Sequence, residues 1–344
     1  MGTKIKSLLT IENIQIDFLS GKRIAVDSLN WLYQFLSSVR QYDGALLMNS
    51  KGEVTSHLAG LFSRCIFLLE NDIRPIFVFD GTPPFLKQKE QEIRRERKIK
   101  AELKLKEAID RQDIESMKKY SSQTSKLSAK MILDSKRLLD ALGIPYVEAP
   151  SEGEAQASFI VRNNDAFCCA SQDFDSLVFG AYKVVRNLNK GAKKKKANSL
   201  SYKDVEIELI DLDVNLRKLG ITQDELIVLS MLVGNDFTQS GINGIGPKKG
   251  LALVKKHKEN FAALFEEVSW EKESNIPWKE VFELIKNMPI KKDYSLEFKA
   301  PDINKVKEIL VLENEFSNER VESSLLKVSK KAINNSQSSL GKWF

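Results

Sequence analysis

Residues 166–180 read AFCCASQDFDSLVFG: a five-residue apolar run, a polar break, then Asp173 and Asp175 one residue apart. The run is short, apolar throughout and bounded by turn formers, the pattern of a strand buried on both faces. A carboxylate placed where such a strand ends costs several kcal/mol unless something compensates its charge.

Three other segments share this form. Arg23–Val26, Pro75–Phe79 and Ile144–Glu148 predict buried strands, and helical periodicity fills Leu29–Val39, Ser56–Asn71, Ala129–Leu142 and Glu154–Arg162. Strands alternating with helices predict an α/β fold with a mainly parallel central sheet and helices on both faces. Residues 87–119 break the rhythm with twelve Lys or Arg against eight acids and few apolar positions. They predict helix standing in solvent, followed by a loop at SSQTSK, 121–126, and together these form an insertion into the sheet protein. Between Val184 and Leu209, alternating apolar runs flank NKGAKKKKANS and predict a hairpin with a basic tip. A helical part follows, and the chain closes on the polar stretch AINNSQSSLGKWF.

The 344 residues are 42% apolar, enough for a large core or two ordinary ones, and contain neither a signal-peptide pattern nor a long uncharged apolar stretch. An intracellular protein is expected. Cys65, Cys168 and Cys169 suit buried thiols better than disulfides or zinc, and two histidines leave little room for imidazole chemistry. The net charge of +6 indicates no partner by itself. Catalysis, if present, must rest on carboxylates, lysine and arginine.

Every predicted strand end carries acid: Asp27 after IAV, Asp80 after VF, Glu152 and Glu154 in PSEGEAQ, and Asp173 and Asp175. In an open α/β sheet the carboxyl ends of parallel strands line one crevice, so these six should converge, with Asp236 of LVGNDF as a seventh at the end of a later helix. Any one of them could be a helix cap or turn former. Seven together, without a matching set of bases, point to divalent cations, because crowded like charges otherwise repel or protonate. Oxygen-only ligation favours Mg2+ or Mn2+ over zinc, and the number of acids suggests two ions about 4 Å apart, as in phosphodiester-cleaving sites. FDGT at 79–82 is similar to the DxDGT motif of haloacid-dehalogenase phosphatases, but Val78 stands where that nucleophile would be.

Three features face outside this crevice. NGIGPKKG, 243–250, places Gly244 and Gly246 before a helix start carrying Lys248 and Lys249, an anion nest suited to DNA phosphate. Lys87 and Arg94, just after Asp80, could reach a phosphate held at the acids. In QSSLGKWF, Gln337 precedes Leu340, Trp343 and Phe344, apolar groups that one 3₁₀ turn would gather for a partner's apolar pocket.

IAVDSLNWLYQFL, TSHLAGLF, VFDGTPPFLK, PSEGEAQA, SQDFDSLVFG, LVGNDF and GIGPKK occur in the order of the structure-specific 5′-nuclease family, and the chain resembles its flap endonucleases over nearly its whole length, most like archaeal members. QSSLGKWF is similar to a sliding-clamp-binding box. The resemblance implies metal ligation, direct or through water, by Asp27, Asp80, Glu152, Glu154, Asp173, Asp175 and Asp236. It further implies stabilisation of the scissile phosphate by Lys87 and Arg94, and guidance of the adjoining nucleotide by Tyr33 and Arg40. Two Mg2+ ions, replaceable by Mn2+, are expected, with K+ at the GIGPKK loop. The implied substrate is branched DNA with a 5′ flap, cut near the junction to leave a 5′-phosphate, with some 5′–3′ exonuclease activity.

On this reading the chain divides into a nuclease region at 1–85, a helical gateway and cap at 86–128, and further nuclease region at 129–216. A helix-hairpin-helix type DNA-binding part at 217–260, a helical part at 261–325 and a tail at 326–344 complete it. A monomer in an archaeal cytoplasm is expected, or in a nucleus if the source is eukaryotic; no membrane partner is. Rival readings are a junction or bubble nuclease of the same superfamily and a noncatalytic clamp-bound DNA adaptor. Deleting Gln337 to Phe344 is expected to abolish affinity for a sliding clamp in calorimetry while sparing cleavage of free substrate; undiminished clamp binding would refute the box.

Overall fold

The computed structural model describes residues 3–188, 193–195, 202–238 and 241–328. Nine strands are present: β1 (Glu12–Ile14), β2 (Arg23–Asp27), β3 (Arg74–Phe79), β4 (Tyr146–Glu148), β5 (Cys168–Ala170), β6 (Lys183–Arg186), β7 (Lys193–Lys195), β8 (Tyr202–Asp204) and β9 (Ile207–Asp211). Seven form one sheet in the order β1-β9-β6-β5-β2-β3-β4. β2 to β6 run parallel to one another, while β9 and β1 close one edge antiparallel. β7 and β8 pair separately as the far end of the lysine-rich hairpin.

The helices that matter for the site are α1 (Ser28–Ser38), α2 (Ser56–Glu70), α3 (Gln88–Asp110), α4 (Ile114–Gln123), α5 (Ala129–Ala141), α6 (Gly153–Arg162), α7 (Asp175–Val178), α8 (Leu212–Leu219), α9 (Gln223–Val233) and α10 (Pro247–His257). The two faces of the sheet carry separate cores. On one, Trp31 and Phe35 of α1, Leu58 and Leu61 of α2, and Leu138 of α5 pack on Phe77 of β3. The Trp31 and Phe77 rings meet edge to face at 5.9 Å. On the other, Ile160 of α6 and Leu226, Leu229 and Met231 of α9 pack on Ala25 and Val78. Alternation of strand and helix thus buries both faces, which is why the central strands are apolar at successive positions.

From β2 the chain winds through β3 to β4 on one side, then returns to β5 and β6 on the other. The direction of winding reverses between β2 and β5, where a crevice opens at the carboxyl ends of the strands.

Three expectations need correction. β4 and β5 each begin two residues later than the apolar run suggests, at Tyr146 and Cys168. The charged insertion forms two packed helices, α3 and α4, because Gln112 takes a left-handed conformation (φ 53°) and Asp113 caps α4 by accepting from the Ser116 amide at 3.1 Å. The loop read at 121–126 is in part helix: Ser121 and Ser122 turn their hydroxyls back onto the Lys118 and Lys119 carbonyls, so α4 continues to Gln123. Among the described residues no helix is long and apolar enough to cross a membrane.

His57, in the first turn of α2, is buried, and neither ring nitrogen is hydrogen-bonded. Burial, with Lys130 adding to it, pushes its imidazole down to about 4 from 6.5. An unfolded chain therefore takes up a proton near pH 6.5 that the folded chain refuses until about pH 4, and stability falls as pH drops through that window. His57→Leu is expected to remove roughly 3 kcal/mol of this acid sensitivity, read by urea unfolding of both proteins across the window; parallel profiles would refute it.

Candidate active site

The sequence-predicted acids meet at the crevice between β2 and β5. Asp27 is the last residue of β2 and also the N-cap of α1, its Oδ1 accepting from the Asn30 amide at 3.1 Å. The cap reading of Asp27 holds, and the same carboxylate stands in the acid cluster. Asp80 follows β3 and accepts through Oδ1 from the Gly153 amide at the start of α6. A Cβ on Gly153 would collide with that same oxygen, so only glycine allows the approach. Glu152 and Glu154 flank Gly153. Glu152 accepts from the Lys87 ammonium, and Glu154 Oε1 accepts from the hydroxyls of Ser171 at 2.7 Å and Ser176 at 3.3 Å. Asp173 lies in the turn after β5, with Asn30 Nδ2 3.4 Å from its Oδ2. Asp175 opens α7 and accepts through Oδ1 from both the amide, at 2.9 Å, and the hydroxyl of Thr3. Asp236 follows α9, with Arg94 Nη2 at 2.9 Å and Lys87 Nζ at 3.3 Å.

Burial, and then the Asp80 charge, push the Asp27 carboxyl up to about 8. Burial, and then Asp236, raise Asp175 to about 6. Burial raises Asp80 despite the Gly153 amide and Lys87, and burial and then Asp175 raise Glu154. Glu152 is also raised although it touches Lys87, because burial outweighs the ion pair. Asp236 is the exception: burial works against its charge, yet Lys87 and Arg94 hold it below the usual carboxylate range. Lys87 is held above the usual ammonium range, Glu152 and Asp236 overcoming its burial.

Lys87 and Arg94 thus serve one corner of the seven-acid cluster, and among the described residues no other side-chain cation has an ion pair with these acids. Asp27, Asp80, Glu152, Glu154 and Asp175 each commit a single oxygen to hydrogen bonding, leaving the second without a described donor. That donor set fits a hard divalent cation. Among the described residues no three acid, histidine or cysteine side chains stand in ready-made metal-binding geometry. Contact partly through water suits such a set, since Mg2+ keeps several waters.

Two regions of the chain match family models: residues 3–101 the XPG N-terminal domain and residues 143–236 the XPG I-region. Flap endonuclease 1 of Staphylothermus marinus is 43% identical over the whole of both chains. That of Pyrococcus abyssi is 44% identical over all of this chain and 98% of its own. The chain belongs to the flap endonuclease family. The structure of flap endonuclease-1 from Methanococcus jannaschii superposes with a TM-score of 0.75 at 41% identity, covering 97% of this chain and all of that one. A DNA complex of the Rad2 catalytic core shares the fold (TM-score 0.69, 23% identity, 95% of this chain and all of that one). All seven acids of this flap endonuclease family member lie within the two matched regions.

Not every predicted residue joins the cluster. Tyr33 is 40% exposed on α1 with the Lys98 ammonium of α3 over its ring at 5.2 Å. Arg40 is spent on the fold: its guanidinium donates to the carbonyls of Leu36 and Gly44 and to the Ser125 hydroxyl at 2.7–2.8 Å, clasping the end of α1 to the residue stretch after α4. Gly244 has φ 73°, and Gly246 caps α10 with no side-chain partner, so the helix start is bare beside exposed Lys248 and Lys249. Gln337, Leu340, Trp343 and Phe344 lie outside the described residues. Asn30, Ser171, Ser176 and Thr3 went unnoticed in the sequence. Only Asn30 left a local sign, its N3 spacing from a capping aspartate.

The Asp27 carboxyl moves from its ordinary 3.8 to about 8 on folding, so its ionisation opposes folding increasingly as pH rises between those values. In the presence of a chelator, Asp27→Asn is expected to melt roughly 5 °C above the parent at alkaline pH, the gap closing toward pH 4. Calorimetric melting that shows the variant equal or lower at alkaline pH would contradict this.

Proposed function

We infer that the chain is a 5′ flap endonuclease of DNA replication and repair, hydrolysing a phosphodiester near the junction of single strand and duplex with Mg2+ as cofactor. The observation that carries the reading is the convergence of seven carboxylates at the sheet's switch point, with Lys87 and Arg94 arriving beside them from the start of the gateway helix. Family membership supplies the substrate class: the relatives that match end to end are flap endonucleases.

Asp27, Asp80, Glu152, Glu154, Asp173, Asp175 and Asp236 would hold the ions, two by the number of acids, directly or through water. Bound Mg2+ supplies Lewis-acid chemistry, lowering the pKa of water and neutralising charge on phosphate oxygens. The chain's own part is placement and charge. Lys87, pinned between Glu152 and Asp236, has a side chain only 16% exposed; that of Arg94 is 48% exposed, reaching Asp236 from a longer lever. Both can donate to the non-bridging oxygens of a phosphodiester entering the crevice, where added negative charge would otherwise be repelled by the acids. The Asn30 amide and carboxamide, with Gln34 bonded to Asn30 Oδ1 at 2.6 Å, hold Asp27 and Asp173 in a constant relation. Tyr33 offers a ring for the neighbouring base.

Away from the acids, α10 with Gly244, Gly246, Lys248 and Lys249 forms a phosphate grip for duplex, beside a concavity of about 670 Å3 that Gly244, Gly246, Lys4, Asn243 and Glu273 line. K+ at this loop, recruitment by a sliding clamp through residues 337–344, and a gateway spanning 86–128 complete the proposal.

The test is cleavage of a 5′-labelled double-flap DNA with and without Mg2+, with Asp173→Ala alongside. One Mg2+-dependent cut at the junction is expected, reduced at least 100-fold in the variant. Tight binding without cutting would indicate an adaptor, and preference for four-way junctions or bubbles another branch of the superfamily.

A further inference from the structure

Thr3 is the one residue of the amino-terminal segment that touches the acid cluster among the described contacts, and it does so 172 positions away in sequence. Its amide and its hydroxyl donate to the same oxygen, Oδ1 of Asp175. Thr3 is 2% exposed, so both bonds lie out of water, where charge-assisted hydrogen bonds are strongest.

The segment that delivers Thr3 is itself anchored. Ile5 is fully buried in the core shared with α6 and α9. Thr10 exchanges hydrogen bonds with the Asn215 carboxamide of α8, 2.7 Å through its amide and 3.1 Å through its carbonyl. Lys6 pairs with Glu208 of β9 at 3.1 Å. Three fixings over six residues leave Thr3 little freedom to leave Asp175.

Asp175 stands on a helix of a single turn, α7, which cannot by itself fix the carboxylate's rotation. Its neighbours in charge, Asp236 and Asp173, repel it. Two donors on Oδ1 stop the rotation and leave Oδ2 as the oxygen available to a ligand. We propose that Thr3 is a positioning residue for the metal site: its hydroxyl locks Asp175 so that a single carboxylate oxygen is presented to a divalent cation. The proposal rests on the reading of the seven acids as cation ligands. It makes the amino-terminal segment part of the site through a side chain and not only through its backbone, since the hydroxyl is the donor that another residue type would lack.

The test is calorimetric titration of Mn2+ into the full chain without DNA, for the parent, Thr3→Val, Thr3→Ser and Thr3→Ala. Valine keeps the shape and removes the donor; serine keeps the donor. An approximately 10-fold weaker affinity for Thr3→Val and Thr3→Ala, with Thr3→Ser within about threefold of the parent, is expected from the usual effect of losing a hydrogen bond to a metal ligand. Thr3→Val binding as tightly as the parent would overturn the proposal, and so would equal weakening in all three variants, which marks packing and not the hydroxyl. Should Thr3→Val lack a cooperative melting transition, Thr3→Ala against Thr3→Ser decides: equal affinities overturn it. No Mn2+ binding by the parent would remove the cation reading of the acids, and Thr3's role with it.

Discussion

Mutual repulsion among seven carboxylates at one sheet end is the constraint around which the rest of this molecule is arranged. Parallel strands point their carboxyl ends the same way, so acids ending β2, β3 and β5 have to meet, and the reversal of winding between β2 and β5 opens the space in which they do. The surrounding fold spends donors on holding them: the amides of Asn30, Gly153 and Thr3, the hydroxyls of Ser171, Ser176 and Thr3, and the cations Lys87 and Arg94. Most of these donors engage one oxygen per carboxylate. Orientation is secured while charge is left over, and the raised pKa values of Asp27 and Asp175, lifted by burial and then by Asp80 and Asp236 respectively, are the record of that surplus. A site built this way is unstable in its own right and ready for a cation.

Much of this was legible in the sequence because it follows from periodicity. Apolar runs ending in acid mark strands and their direction together, and a parallel sheet then brings Asp27, Asp80, Asp173 and Asp175 together without further information. What the sequence concealed depends on single backbone conformations or on contacts across long separations. The left-handed Gln112 that splits α3 from α4 is not a glycine or asparagine, so no turn signal announces it. Ser121 and Ser122 look like loop residues and are held in helix by bonding back to it. Thr3 in MGTKIK carries no local sign of an aspartate on α7.

Arg40 has partners within the fold that the sequence does not announce. A basic residue seven positions beyond Tyr33, in a segment matched to a DNA-cutting family, invites a substrate role, and its guanidinium closes on Leu36, Gly44 and Ser125. Arginine's planar fork suits such a clasp as well as it suits phosphate. Exposure and partners, not charge, separate the two uses: Lys248 and Lys249 stand open beside a bare helix start, whereas Arg40 is occupied.

The α3–α4 pair rests on the protein through little apolar surface. Among the described side chains of α3, Ala101 and Ala108 alone are buried, and α4 buries none of its residues fully. Area of that order contributes little to the global unfolding free energy, so the pair forms a cooperative unit of its own, able to open without loosening the sheet beneath. Amide exchange in α3 and α4 is expected to run ahead of exchange in β2 and β3. The charged helix pair and the strands that carry the acids thereby have different lifetimes.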